Sequence, residues 1–404
     1  MAKRIYVGVG NTARRVKKAY VGINGLARRI KKAYIGVGGV ARPIYSTELE
    51  YWGEAAALGS SGVCGVTATA NSKYALFAGG FIQYTYKEVS SVTSYTTSLT
   101  KTMAPALDNT CDSPMTAVSL DKVSLFAERA GNVRYDSTGI ISAYDLSLTK
   151  SSPAKQNENN TRYGMCGVRI GNYAAFVSGG IRGRVNVEGV TTIDTYDESL
   201  TYSVKSPCYG RTHHTGAFNG THAIIAGGVI YWDNTGFNEW GTDEVEAFDT
   251  SFTRTILDSL SEKRGEMGAA RVGNYVLFMG GEDIRAISVD DRYESEIYDV
   301  VDAYDDSLTR ISAPPLSHTL VCSTHYDTIC ATVIHNQYAL VPLGENLPID
   351  VYDSALTKTT CGKLSRSNVS ATTIDDYALF AGGSYSSGKY TFQTDSVDVY
   401  AYMQ

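Results

Sequence analysis

YALFAGG at Tyr74–Gly80 returns letter for letter at Tyr377–Gly383, with close copies between: YAAFVSGG at Tyr173–Gly180, HAIIAGG at His222–Gly228 and YVLFMGG at Tyr275–Gly281. Two weaker copies, VSLFAER at Val123–Arg129 and YALVPLG at Tyr338–Gly344, bring the number to seven. A short apolar run ended by a glycine pair reads as a buried strand stopped by a turn. Its recurrence makes the chain an array of similar units instead of a string of unrelated domains.

Working outward, each copy is followed by a second motif: SYTTSLT around Tyr95, AYDLSLT around Tyr144, TYDESLT around Tyr196, AFDTSFT around Phe248, AYDDSLT around Tyr304, VYDSALT around Tyr352 and VYAYMQ around Tyr400. These aromatic anchors are 49, 52, 52, 56, 48 and 48 residues apart, so a unit is about 50 residues long. Small-residue runs such as GVCGVTATA, GMCGVRIG, TGAFNG and MGAARVG precede the glycine-ended strands. Each unit therefore offers four strands, the first small enough to crowd around an axis, which predicts an all-β, seven-bladed β-propeller over residues 46–404. The last unit stops at VDVYAYMQ after its third strand, while LEYWGEAAALGSSGVCG (Leu49–Gly65) aligns with LTKTMAPALDNTCDSP (Leu99–Pro114). Residues 48–57 are expected to supply the missing strand and close the ring.

With their double glycine and the Tyr-Asp that follows, residues 48–404 resemble kelch repeats. The second and sixth units depart from that pattern, with Glu128-Arg129 and Leu343-Gly344 in place of the glycine pair, and the fourth-strand tryptophan of the family is absent.

Charge divides the chain of 404 residues unevenly: its net −6 combines eleven Lys/Arg and no acid in residues 1–44 with 25 basic and 42 acidic residues in the remainder, a balance of −17. The basic part repeats every 14 residues, with Tyr6, Tyr20 and Tyr34 in phase and turn pairs at Gly10-Asn11, Asn24-Gly25 and Gly38-Gly39. Asn-Gly and Gly-Gly suit two-residue hairpin turns, so residues 1–45 are expected to form a small β-hairpin meander that folds against a partner. Arg14, Arg15, Lys17, Lys18, Arg28, Arg29, Lys31 and Lys32 are its assembly candidates; their strict β pattern argues against a disordered nucleic-acid arm. No apolar run is long enough for a membrane span, and the start lacks a signal-peptide core, so synthesis in the bacterial cytoplasm is expected. The seven scattered cysteines, with no CxxC, read as reduced thiols.

In such a ring the first-to-second and third-to-fourth turns share one face, and these are short and uniform. The second-to-third loops and blade junctions share the other, vary in length and are the place for a ligand. They carry Tyr84, Tyr86, Arg129, Arg134, Tyr135, Arg182, Arg184, Tyr231, Trp232, Trp240, Arg285, Arg292, Tyr293 and Tyr385. Such aromatic faces and forked donors suit sugars, anionic groups or protein hot spots. Arg162, Arg211, Arg264 and Arg366 recur before the first strands, with His214 nearby. They either converge as an anion site at the channel mouth or brace neighbouring blades, as an arginine there does in kelch proteins; bracing is the stronger expectation.

Catalytic patterns are scarce. No histidine pair has zinc-protease or zinc-finger spacing, and GVGNTARR and GVGGVAR are hairpin turns, not dinucleotide fingerprints. The aspartates of DESLT and DDSLT read as caps of their own turns, and the acidic stretch Glu282–Glu296 as a solvated loop more than a calcium site. No cofactor or metal is implied. The repeat KKAYVGxxGxARxI over residues 3–45 resembles N-terminal segments of bacteriophage and prophage tail or fibre proteins. That resemblance implies a virion tail protein: residues 1–45 attach to other tail or baseplate proteins, and the propeller binds a host-surface ligand, a glycan or anionic polymer, without catalysis. The alternative is a glycan-active oxidase or sialidase-like enzyme at the channel mouth; a kelch adaptor is disfavoured.

Overall fold

A computed structural model describes residues 6–9, 12–15, 19–23, 26–30, 32–37, 40–46, 48–59, 62–82, 87–110, 116–128, 139–153, 162–182, 187–205, 207–231, 239–287, 292–319, 329–388 and 390–402. They form β-strands and connections, with no helix among them. Blade 5 shows the common pattern: Gly268–Val272 pairs with Tyr275–Met279, that strand with Val301–Asp305, and that in turn with Arg310–Ala313, all antiparallel. Seven such sheets follow one another. Each first strand lies against the first strand of the next blade, and Ser370–Ile374 of blade 7 returns to Thr67–Ala70 of blade 1. The array is a seven-bladed β-propeller.

Closure falls where the sequence placed it. Blade 7 takes its fourth strand from Glu50–Ala55, which pairs with Val397–Ala401. Trp52 is buried with its ring centroid 6.4 Å from that of Tyr377, and Tyr51 donates its hydroxyl to Asp398 at 3.0 Å. Pairing the last strand with the first covers an edge that would otherwise template aggregation.

Crowding at the axis explains the small first-strand residues: a Cβ on Gly167 would come within 2.7 Å of the Ala117 carbonyl oxygen of the preceding blade. Farther out, apolar clusters fill the spaces between neighbouring blades. The anchor tyrosines are their most polar members. Phe77–Tyr95, Phe126–Tyr144, Phe176–Tyr196, Phe278–Tyr304 and Phe380–Tyr400 meet edge to face with centroids 5.7–6.2 Å apart. Burying an aromatic ring contributes roughly 1.5–3 kcal/mol, but a buried phenol also needs a partner. The segment entering the blade supplies it: Tyr144 donates to the Pro105 carbonyl at 2.8 Å, Tyr304 to Asp258 at 2.7 Å and Tyr352 to Pro314 at 2.7 Å. Burial holds all three phenols above their ordinary pKa.

Residues 6–46 form one two-stranded hairpin per 14-residue unit: Tyr6–Val9 with Thr12–Arg15, Ala19–Ile23 with Leu26–Ile30, and Lys32–Val37 with Val40–Ser46. Register sets Tyr20 opposite Arg29 and Val21 opposite Arg28, and Tyr20 and Val21 are both exposed. An isolated two-stranded hairpin is marginal in water. Among the described residues no helix is long and apolar enough to cross a membrane.

Candidate functional site

The turn face of the ring satisfies its own polar groups. Asp145, Asp197, Asp249, Asp305 and Asp353 each accept, through Oδ1, the backbone N–H groups two and four residues on at 2.8–2.9 Å. In blade 1 the Thr96 hydroxyl does the same for Ser98 and Thr100 at 3.3 and 3.2 Å. These acids cap their turns, as the SLT pattern suggested, each through one carboxylate oxygen.

On the opposite face the second-to-third loops are largely β-hairpins of their own: Phe81–Ile82 with Lys87–Glu88, Gly180–Arg182 with Val187–Gly189, Val229–Tyr231 with Glu239–Gly241, Glu282–Ile287 with Arg292–Ile297, and Ser384–Ser387 with Tyr390–Gln393. The hairpins of blades 4 and 5 join into one four-stranded sheet, where Ile230, Trp240, Arg285 and Glu294 lie in register across the strands. That sheet gathers Tyr231, Trp240, Arg285, Arg292 and Tyr293 from two separate loops. Trp240 is 48% exposed. In blade 7, Tyr385 opposes Phe392 across the hairpin, their rings stacked with centroids 5.6 Å apart, and Tyr390 is 68% exposed beside them. Arg182 lies on the blade 3 hairpin. Tyr84, Tyr86, Arg129, Arg134, Tyr135, Arg184 and Trp232 lie outside the described residues, as do Lys17, Lys18 and Lys31. Arg14, Arg15, Arg28, Arg29 and Lys32 sit on hairpin strands.

The four junction arginines are buried, and each meets an acid on the third strand of its own blade. Arg211 reaches Glu246 at 3.0 Å, Arg264 reaches Asp302 at 2.8 Å, Arg162 stands 3.4 Å from Asp194, and Arg366 pairs with Asp398. Arg211 also donates to the carbonyls of Glu244 and Ile225 at 2.7 and 3.3 Å, while its own carbonyl accepts from Gly179 of blade 3 at 3.0 Å. These guanidinium groups hold their own blade together and do not brace its neighbour, which only the Arg211 backbone carbonyl reaches. Desolvation lowers the Arg211 pKa, with Glu246 opposing the shift. Blade 1 has Val63 and Thr93 at the corresponding places, so cation and anion are absent together. In blade 2 Ser142 takes the acid's place, and Glu128, standing where a glycine is usual, accepts from Ser142 and from Asn109 N–H at 2.8 Å. The acid two residues before the anchor aromatic was the unread signal for these pairs.

A cavity of about 450 Å³ occupies the channel mouth. Apolar Val66, Ala117, Met267 and Val369 line it together with Tyr163, His213, Glu266 and Asn368. Of the junction arginines only Arg162 lines it; His214 also does, its ring Nε2 3.1 Å from the Val177 carbonyl. Desolvation, reinforced by Arg211, drives the His214 pKa well below its ordinary value, so its imidazole is neutral at pH 7. His213 Nε2 stands 3.6 Å from Glu266 Oε1, and His213 Nδ1 lies 3.0 Å from Thr212 Oγ1. Sequence reading singled out His214 but missed Glu266 and Asn368. The described cysteines are thiols, and burial pushes those of Cys166 and Cys330 at this cavity up to about 12. Glu282 and Asp283, from the acidic stretch, are buried; among the described residues no three potential metal ligands cluster.

No protein-family model matches the chain, and no curated protein matches it.

Proposed function

We propose that this protein is a non-catalytic binding module, in which the propeller is a rigid platform for ligand-binding hairpins and residues 1–45 fasten it to a larger assembly. The reading rests on one observation: the exposed aromatics Trp240, Tyr385, Tyr390 and Phe392 stand on hairpins of the variable face. Flat, exposed rings on a rigid support suit the apolar face of a sugar ring. Together with the kelch-like repeat and the phage-like N-terminal segment, this favours a phage or prophage tail protein that recognises host-surface glycan. An anionic polymer would have to be met by the hairpin arginines Arg182, Arg285 and Arg292, since the four junction arginines already face acids.

Co-sedimentation of the full chain with insoluble cell walls from Gram-positive bacteria tests the reading. Binding should be saturable and fall at least tenfold in the Trp240→Ala/Tyr390→Ala variant at unchanged Tm. Absence of sedimentation, or equal sedimentation by the variant, contradicts it. For attachment, deleting residues 1–46 should leave a folded ring because Glu50–Ala55 remains; deleting residues 1–57 should destabilise blade 7.

A further inference from the structure

The channel mouth repeats one backbone conformation from blade to blade. Gly65, Gly164, His213, Glu266 and Asn368 occupy corresponding positions just before the first strands, and their φ angles are +65°, +61°, +54°, +55° and +52°. Backbone bonds tie successive blades there: His213 N–H donates to the Gly164 carbonyl at 3.0 Å, Glu266 N–H to His213 at 3.0 Å and Ile329 N–H to Glu266 at 3.2 Å. Among the described junctions, five thus place a left-handed residue at this step, with glycine, histidine, glutamate or asparagine there. Glycine is the residue of lowest cost there, and blades 1 and 3 use it. Asparagine and histidine tolerate the left-handed region better than most residues, but glutamate does not share that tolerance. Side chains at such positions are retained against a local conformational cost, a pattern that clusters at ligand clamps.

All three residues line the 450 Å³ cavity, a size within the small-molecule range. Its lining includes the carboxylate of Glu266, the imidazole of His213, the amide of Asn368 and the aromatic ring of Tyr163, together with the apolar Val66, Met267 and Val369. Charge narrows the choice. Arg162, the one arginine among the described lining residues, faces Asp194, while Glu128 and Glu266 both line the cavity, so an anion meets no spare guanidinium. We propose that the channel mouth is a binding site for a neutral, hydroxyl-bearing ring of monosaccharide size, held by Glu266, His213 and Asn368 beside Tyr163. It is separate from the hairpin aromatics, and either site can fail without the other.

Saturation-transfer NMR and calorimetry on the full chain with glucose, N-acetylglucosamine and glucuronate test it. At least one neutral sugar should bind, with glucuronate weaker. Glu266→Gly should weaken that binding at least tenfold and Glu266→Gln less, while Trp240→Ala leaves it unchanged. Because Gly relieves the left-handed cost, Glu266→Gly should hold Tm or raise it by about 1–2 °C. The proposal is overturned if neither neutral sugar binds, if glucuronate binds best, if Glu266→Gly binds as tightly as the parent, or if that variant loses more than about 3 °C.

Discussion

The two faces of the ring are built from the same strands yet do opposite things with their polar groups. On the turn face, Asp145, Asp197, Asp249, Asp305 and Asp353 spend their carboxylates on their own backbone, five times over in the same geometry. On the loop face the connections range from the short 343–347 segment of blade 6 to the long hairpin Glu282–Ile287/Arg292–Ile297 of blade 5, and aromatics stand exposed. Beneath the variable face, four of the blades hold a buried arginine–acid pair in the same place. The difference teaches where sequence is constrained by folding and where it is released for recognition.

The largest expected effect breaks one of those pairs. Arg211→Met leaves Glu246 buried with Arg254 at 2.8 Å and the Tyr209 N–H at 3.2 Å and should cost up to about 3–5 kcal/mol in chemical denaturation. Replacing both partners, Arg211→Met with Glu246→Leu, should restore most of it, as Val63 and Thr93 do naturally in blade 1. A double variant no more stable than the single one would show that holding the blade together is not what the pair provides. Next in size, Tyr304→Phe strands the Asp258 carbonyl and should cost about 1–3 kcal/mol by the same measurement.

On the turn face the expected effect is smaller and depends on pH. Backbone bonding, led by Thr253 N–H, holds the Asp249 carboxyl below its ordinary pKa. A depressed folded pKa contributes stability above the unfolded value, and that contribution is lost as pH falls through the folded value. The stability gap between the parent and Asp249→Asn should therefore narrow as pH drops below about 4; a gap constant down to pH 2 would remove the charge from the explanation. Smallest for stability, Tyr390→Ser should change the folding free energy by no more than about 0.5 kcal/mol, since its ring is 68% exposed.

Much of the scaffold was legible because each constraint repeats. The glycine-ended strands, the anchor tyrosines and the closing segment 48–57 all follow from comparing one unit with the next, and Glu50–Ala55 falls inside that segment. The loop-face hairpins were read as plain loops: their sequences differ from blade to blade, so no internal comparison exposes a period. The sheet that unites Trp240 with Arg285 joins loops about 45 residues apart. Glu266 stayed hidden for a different reason. The pattern it breaks is glycine at a left-handed position, which two blades display and which becomes visible only when the junctions are aligned.

The central claim, that recognition belongs to the loop face and self-stabilisation to the turn face, is tested most directly by one paired measurement. Cell-wall binding and Tm would be compared for Trp240→Ala/Tyr385→Ala/Tyr390→Ala and for Asp197→Ala/Asp305→Ala/Asp353→Ala. The account predicts that the first variant loses binding at unchanged Tm, while the second keeps binding and melts earlier. Lost binding in the second variant at a temperature where it remains folded, with binding intact in the first, would contradict it.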